Sequence, residues 1–322
     1  MSEGETVLVT GGLGYVGSAL LPLLQADDRV AEIRVLDSMA TGSPQHLAEA
    51  RIDDAFAFRQ GDVRNPEDVR PMVEGADAVV HLAAITGTES THGRREETMA
   101  VNRDGTATVL DAAVAAGVDS FAFASSCNVY GRAPRDESVD ETGPVDALNP
   151  YAESKLAGES RLEAVSDRPV ETTALRMSTN YGYAPGVRFN LVVNYFVFRA
   201  LTGQPLTVYG DGTNWRPFIH VRDAARAFAS AALEPDRWPA SVYNVGRDDE
   251  NYRIAEIADV VSDEVGPVDT TYLDDENPGP SYRVSFDRLS ETGFDLEYTL
   301  REGVTELAAV LRSASPHEEV RG

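Results

Sequence analysis

Thr6-Val7-Leu8-Val9-Thr10-Gly11-Gly12-Leu13-Gly14-Tyr15-Val16-Gly17 decides the fold of this 322-residue chain. The first five residues read as a buried strand, and the apolar positions Leu20, Leu21 and Leu24 that follow the glycines keep helical spacing. Strand, glycine turn and helix therefore come in the order that a dinucleotide site needs. Gly11 suits a tight turn, Gly14 lets backbone approach a pyrophosphate at the helix N-terminus, and Gly17 lets helix and strand pack closely. Glycine turns without ligands are common, so the second strand matters. It covers Glu32-Ile33-Arg34-Val35-Leu36 and ends in Asp37, where a ribose-binding acid belongs.

The alternation continues. Phe56-Ala57-Phe58-Arg59 is a third strand, a helix opens near Pro66, and Ala78-Val79-Val80-His81-Leu82 is a fourth strand. A long helix from about Glu97 to Ala116 precedes a fifth strand at Ser120–Ala124, and a sixth is expected at Glu171–Leu175. Repeated β-α units with short connections predict an α/β fold with a doubly wound parallel sheet. In such sheets ligands sit at the C-terminal strand ends. Asp62, Ala83, Ala84 and Ser126 all fall there, and Ser126 is placed to bond a reacting oxygen. His81 reads as a packed strand residue, and Asn102, from spacing alone, as a polar residue bonded to local backbone.

Asn149-Pro150-Tyr151-Ala152-Glu153-Ser154-Lys155 predicts a helix start, since Pro150 loses nothing in a first turn. Tyr151 and Lys155 then share one face. A free phenol titrates near 10, and an adjacent ammonium is expected to lower that value, making Tyr151 a proton carrier. The pair could equally belong to an ordinary amphipathic helix. However, Lys155 is the only lysine in the chain, so arginine supplies the rest of the 28 basic residues. An ammonium kept at this one position points to chemistry that a guanidinium does not perform.

The 53 acidic against 28 basic residues give a net charge of −25, which repels nucleic acid and anionic lipid. Acidity spread along the chain, with lysine almost absent, suggests a cytoplasm of high salt. Without a long apolar run or an apolar leader at the acidic start Met1–Glu5, the expectation is a cytoplasmic protein with no membrane span. The lone Cys127 excludes an internal disulfide framework and reads as a small packing residue; five scattered histidines offer no metal-ligand spacing.

The glycine turn, Asp37, His81-Leu82-Ala83-Ala84, Ser125-Ser126, Tyr130-Gly131 and Tyr151-Ala152-Glu153-Ser154-Lys155 together resemble the extended short-chain dehydrogenases with their Rossmann sheet. More narrowly, they resemble the NAD-dependent epimerase/dehydratase family, of the UDP-glucose 4-epimerase type, which acts on nucleotide sugars. The resemblance implies NAD held by Gly11, Gly14, Tyr15, Val16, Gly17, Asp37, Asp62, Val63, Ala83, Ala84, Asn102, Tyr151 and Lys155. Asn102 enters through Val101-Asn102-Arg103-Asp104-Gly105-Thr106, which matches the family's N-x-x-G-T. Tyr151 is implied as acid and base, Lys155 as its partner on the nicotinamide ribose, and Ser126 as the group bonding the sugar oxygen.

The same resemblance implies a nucleotide-binding domain of residues 1–176, with roughly 217–246, and a smaller α/β substrate lobe of 177–216 and 247–322. It places Thr179, Asn180, Asn190, Arg216 and, less directly, Arg283 on the nucleotide sugar. Two departures stand out: Thr179 replaces the family's usual sugar-contacting asparagine, and Pro278-Gly279-Pro280-Ser281 lacks the usual second pyrophosphate arginine. The family's 4,6-dehydratases carry an acid just after the active serine or threonine, where this chain has Cys127 and Asn128. That favours a 4-epimerase, with a 4-keto-sugar reductase or dehydrogenase as the alternative and a non-catalytic NAD sensor as a remote one. A homodimer built from the 97–116 and Tyr151 helices is also implied. The tail after Ser313 is polar and expected to fray.

Overall fold

The computed structural model describes residues 4–87, 91, 93–133, 137–274 and 279–313. The expected tail at 314–322, the acidic start at 1–3 and Pro278 lie outside the described residues. Seven strands form the main sheet: β1 (Glu5–Thr10), β2 (Val30–Asp37), β3 (Phe56–Gln60), β4 (Ala78–His81), β5 (Ser120–Ser126), β7 (Glu171–Met177) and β11 (Val242–Val245). Their order is β11-β7-β5-β4-β1-β2-β3, and every pairing is parallel. The chain starts in the middle, winds outward to β3, then crosses to β4 on the other side of β1. The crevice at that reversal lies over the C-terminal ends of β1 and β4, where such sheets take their ligands.

Both faces of the sheet are covered, which is why β4 is buried along its whole length. Helices Tyr15–Ala26 and Val221–Leu233 pack on one face through Leu20, Leu21, Leu24, Ala224 and Phe228. On the other face lie Pro66–Val73, Gly105–Ala116 and Pro150–Glu163, contributing Val69, Val109, Leu110 and Leu162. The expected long helix begins at Arg95 and is interrupted by a π-turn at Ala100–Asp104 before it continues as Gly105–Ala116. A wider turn there swings Asn102 away from the local backbone and into the fold, with consequences for the site.

A third core, of Val193, Phe196, Ile257, Val261, Val304 and Leu307, lies beyond the sheet. It is bordered by β8 (Thr179–Tyr181), β10 (Trp215–His220) and β12 (Asn251–Arg253), with β8 parallel and β12 antiparallel to β10. Two short parallel pairs complete the described strands: β9 (Leu206–Tyr209) with β13 (Thr270–Leu273), and β6 (Ser138–Val139) with β14 (Arg283–Val284). Among the described residues no helix is long and apolar enough to cross a membrane.

Candidate active site

The glycine turn is shaped for a phosphate-bearing ligand. Gly11 has φ +70, and a Cβ there would lie 2.7 Å from the Ala83 nitrogen, so the turn packs directly on the segment after β4. A Cβ on Gly17 would fall 2.5 Å from the Gly12 carbonyl oxygen, so only glycine lets the helix sit this close to the turn. At Gly14 an added Cβ would meet only the Gly11 oxygen, at 3.1 Å, and would project into the open cradle. The helix starts at Tyr15, and its first-turn N–H groups, including those of Tyr15 and Val16, have no intrahelical acceptor. These features fit a dinucleotide pyrophosphate.

Asp37 ends β2 beside the turn. Its Oδ2 accepts from the Leu13 N–H at 3.0 Å and its Oδ1 from the Met39 N–H at 2.7 Å, leaving further lone pairs for ribose hydroxyls. Asp62 is gripped by Arg64, which pulls its carboxyl below the ordinary value, and the neighbouring Val63 is buried against Gly105. Tyr15 turns its phenol away from the cradle: its hydroxyl donates to the Gly182 carbonyl oxygen and accepts from Asn194 Nδ2 at 3.2 Å.

Asn102 is held by tertiary partners. Its Oδ1 accepts from the Ile85 N–H at 2.8 Å, while Nδ2 donates to the Ile85 oxygen and to Ser154 Oγ, each at 2.9 Å. Ser154 Oγ in turn donates to the Tyr151 carbonyl oxygen. With both its donors used, Asn102 ties the Ala83-Ala84-Ile85 loop to the Tyr151 helix, so the reading of local backbone bonding is corrected. His81 is packed as expected, between Thr10 and Thr106 hydroxyls, and burial pushes its pKa down to about 3.

Helix Pro150–Glu163 begins as the sequence predicts, with Asn149 Oδ1 accepting from the Ala152 N–H at 2.9 Å. The Ser126 hydroxyl lies close enough to the Tyr151 phenol to act on its pKa, which brings two of the three candidate catalytic groups together. Lys155 Nζ lies 5.0 Å from the Phe123 ring centroid and 5.6 Å from that of Tyr151. The electrostatics correct one expectation. Burial raises the Tyr151 pKa, opposed by the neighbouring Ser126 hydroxyl and by the charge of Arg188. Burial also pushes Lys155 down to about 7. In this buried site desolvation acts against both charged forms, and an ammonium that is itself disfavoured is a weak support for a phenolate.

Beneath Ser126 lies a buried polar network. Arg176 and Glu159 form a bidentate pair with side chains 7% and 9% exposed, closed enough to fix both groups. Ser125 Oγ donates to Glu159, Arg176 Nη1 donates to the Tyr130 hydroxyl, and that hydroxyl donates to Asn244 Oδ1. Cys127 is buried, donating through Sγ to the Arg176 carbonyl oxygen, and burial raises its pKa, so it is the packing residue the sequence indicates.

The expected substrate residues divide. Thr179 and Asn180 lie on β8, and Asn180 Oδ1 is buried with no hydrogen-bond partner among the described residues. Asn190 is exposed and accepts from Arg188 Nε at 3.3 Å. Arg216 stacks on Tyr282, 5.1 Å from the ring centroid, and donates to the Trp215 carbonyl oxygen. The Arg283 guanidinium lies 4.8 Å from the Trp215 ring, which Arg253 also covers at 4.8 Å.

Sequence reasoning missed Arg188, Glu159 and Tyr282. Arg188 donates to Thr86 Oγ1 on the loop after β4, and its carbonyl oxygen accepts from Asn194 Nδ2 at 3.1 Å. A signal existed for Glu159 alone, one helical turn beyond Lys155 on the same face.

The NAD dependent epimerase/dehydratase family model matches residues 7–246. A low-salt glycan biosynthesis protein of Haloferax volcanii is 30% identical over 303 residues, covering 92% of this chain and 96% of that one. Among solved structures, the dTDP-glucose 4,6-dehydratase DesIV of Streptomyces venezuelae, with NAD and TYD bound, matches with TM-score 0.86 and 26% identity, covering 96% of this chain and 97% of its own. The UDP-glucose 4-epimerase of Thermus thermophilus in complex with NAD matches with TM-score 0.82 and 27% identity, covering 96% and 100%.

Proposed function

The chain belongs to the NAD-dependent epimerase/dehydratase family, with NAD as its cofactor, and from that premise we propose that it is a nucleotide-sugar 4-epimerase of the UDP-glucose/UDP-galactose type. The observation that carries the choice is the turn after Ser126. Elimination of water needs a carboxylate near the sugar, and this turn offers Cys127, bonded to the Arg176 backbone, and Asn128, bonded to Tyr282. The nearby Glu159 is committed to Arg176.

In this reading Gly11, Gly14, Gly17 and the N–H groups of Tyr15 and Val16 hold the pyrophosphate, and Asp37 holds the adenosine ribose. Asp62, Val63, Ala83 and Ala84 line the adenine and nicotinamide sides, with Asn102 fixing the loop. NAD, when bound, supplies the nicotinamide that accepts a hydride from sugar C4 and returns it to the other face. Tyr151 takes the C4 hydroxyl proton onto its phenolate oxygen and gives it back, a general base and then a general acid. Ser126 holds the C4 oxygen through both halves. Lys155 holds the nicotinamide ribose, Asn180 Oδ1 accepts from a sugar hydroxyl, and Arg216 with Asn190 binds the nucleotide diphosphate. Arg283, stacked on Trp215, supports that wall rather than touching the phosphates.

Incubation with UDP-, GDP- and dTDP-sugars, followed by separation of products, tests the proposal. Interconversion of UDP-glucose and UDP-galactose without net NADH formation is expected. A 4-keto-6-deoxy product refutes it in favour of dehydration, and steady NADH or NADPH consumption with a keto-sugar refutes it in favour of reduction. The protein is further expected to be a homodimer through the Gly105–Ala116 and Pro150–Glu163 helices, which light scattering at working salt checks.

A further inference from the structure

Residues 279–284 run as a strap between two parts of the site. On one side the Ser281 N–H donates to the Gly131 oxygen at 3.1 Å, and the Ala133 N–H donates to the Ser281 oxygen at 3.0 Å. On the other side the Trp215 N–H donates to Ser281 Oγ and the Tyr282 N–H to the Trp215 oxygen, each at 3.1 Å. One side chain of the strap reaches both neighbours. Tyr282 is 3% exposed, its hydroxyl donates to Asn128 Oδ1 at 3.0 Å, and its ring carries the Arg216 guanidinium. Against the ring also lies Tyr130, with centroids 6.2 Å apart.

Each contact leads onward. The Asn128 N–H donates to Ser126 Oγ at 3.2 Å, and the Ser126 hydroxyl neighbours the Tyr151 phenol. Arg216 makes no ion pair with a carboxylate among the described residues; the Trp215 carbonyl and the Tyr282 ring are what hold it. A buried aromatic ring packed on both sides has little rotational freedom. The Ser126 turn and Arg216 therefore cannot shift independently.

We infer that Tyr282 is a positioning residue that sets the spacing between the group holding the sugar oxygen and the group holding the diphosphate. It rests on the proposed roles of Ser126 and Arg216. Tyr282 does two separable things. Its hydroxyl fixes Asn128 and so the Ser126 turn, which bears on turnover. Its ring fixes Arg216, which bears on binding.

The experiment combines steady-state kinetics with calorimetric titration of a nucleoside diphosphate, using whichever of UDP, dTDP and GDP binds the wild-type protein. Tyr282→Phe keeps the ring and loses the hydroxyl: kcat is expected to fall about tenfold, the scale of one uncharged hydrogen bond, with diphosphate affinity unchanged. Asn128→Ala is expected to give the same kcat loss, and the double variant no more than either single one. Tyr282→Leu also removes the ring, and diphosphate affinity is expected to weaken about tenfold, the scale of a desolvated cation–π contact.

If Tyr282→Leu does not fold, the Tyr282→Phe and Asn128→Ala cycle carries the test. Losses that multiply in the double variant overturn the inference, as does a Tyr282→Phe variant that loses diphosphate affinity or keeps full kcat. Arg216→Met separates the two levels of reasoning. An unweakened Arg216→Met, or a wild type that binds none of the three diphosphates, shows that the functional reading has failed. A weakened Arg216→Met beside an unchanged Tyr282→Leu overturns the Tyr282 inference alone.

Discussion

Replacing Lys155 by methionine should make the NAD-free protein more stable while abolishing turnover. Lys155 is 3% exposed, forms no ion pair among the described residues, and titrates at about 7 rather than 10.5 because burial disfavours its charge. That gap, at about 1.36 kcal/mol per pH unit, corresponds to roughly 5 kcal/mol of penalty for carrying the charged amine into the fold. Cation–π contacts with Phe123 and Tyr151 offset about 1 kcal/mol each. About 3 kcal/mol remains. The sign follows from linkage: the unfolded chain holds the lysine proton more tightly, so the penalty is complete below pH 7 and is relieved as pH rises towards 10.5. Methionine fills a similar volume without charge. At pH 6.5 Lys155→Met should therefore unfold about 4 °C higher than wild type, at about 1.5 °C per kcal/mol for a chain of this size. The difference should shrink steadily between pH 7 and 10. Thermal unfolding of both proteins, freed of NAD and at constant salt, is the assay. Parallel melting profiles across that range, or a less stable variant at pH 6.5, would refute the reasoning. The expected trade of stability against activity is a common property of catalytic sites.

Wild type should prefer NAD over NADP by about a hundredfold, since a 2′-phosphate meets the Asp37 carboxylate and Ser38-Met39-Ala40 offers no cation. Asp37→Ser should relax that ratio without creating tight NADP binding, and equal wild-type affinities in calorimetry would show that Asp37 does not face the ribose. Arg188→Met removes the positive charge that lowers the Tyr151 pKa, so the rising limb of the kcat/KM profile should move to higher pH. An unmoved limb would show that this charge does not reach the phenol. Arg176→Met should destabilise the fold by about 3–5 kcal/mol in denaturant titration, because it strands the buried Glu159 carboxylate. Adding Glu159→Met should recover much of that loss. With a net charge of −25, the unfolding midpoint should fall when salt is lowered from molar to millimolar, as the screening length grows from about 3 Å to beyond 30 Å; an unchanged midpoint excludes adaptation to high salt.

The chain by itself determined the parallel sheet, the dinucleotide turn and the facing of Tyr151 and Lys155. Each depends on a short-range rule: period two in a strand, three to four residues in a helix, glycine where backbone crosses backbone. The helix start at Asn149-Pro150 is legible for the same reason, as is Asp37 at the end of its strand. Only the tertiary structure decided how the site is tuned. Asn102 reads as locally bonded until a π-turn carries it to Ile85 and Ser154. Arg188 and Tyr282 come from segments far from the serine turn and the Tyr151 helix, and no spacing rule connects them. Sequence spacing predicts a lowered Tyr151 pKa and the fold raises it, because an i,i+4 neighbour is a local fact, whereas desolvation belongs to everything packed around a group. Sequence periodicity places charges relative to one another along an element; the dielectric in which they interact exists only once the elements have closed over them.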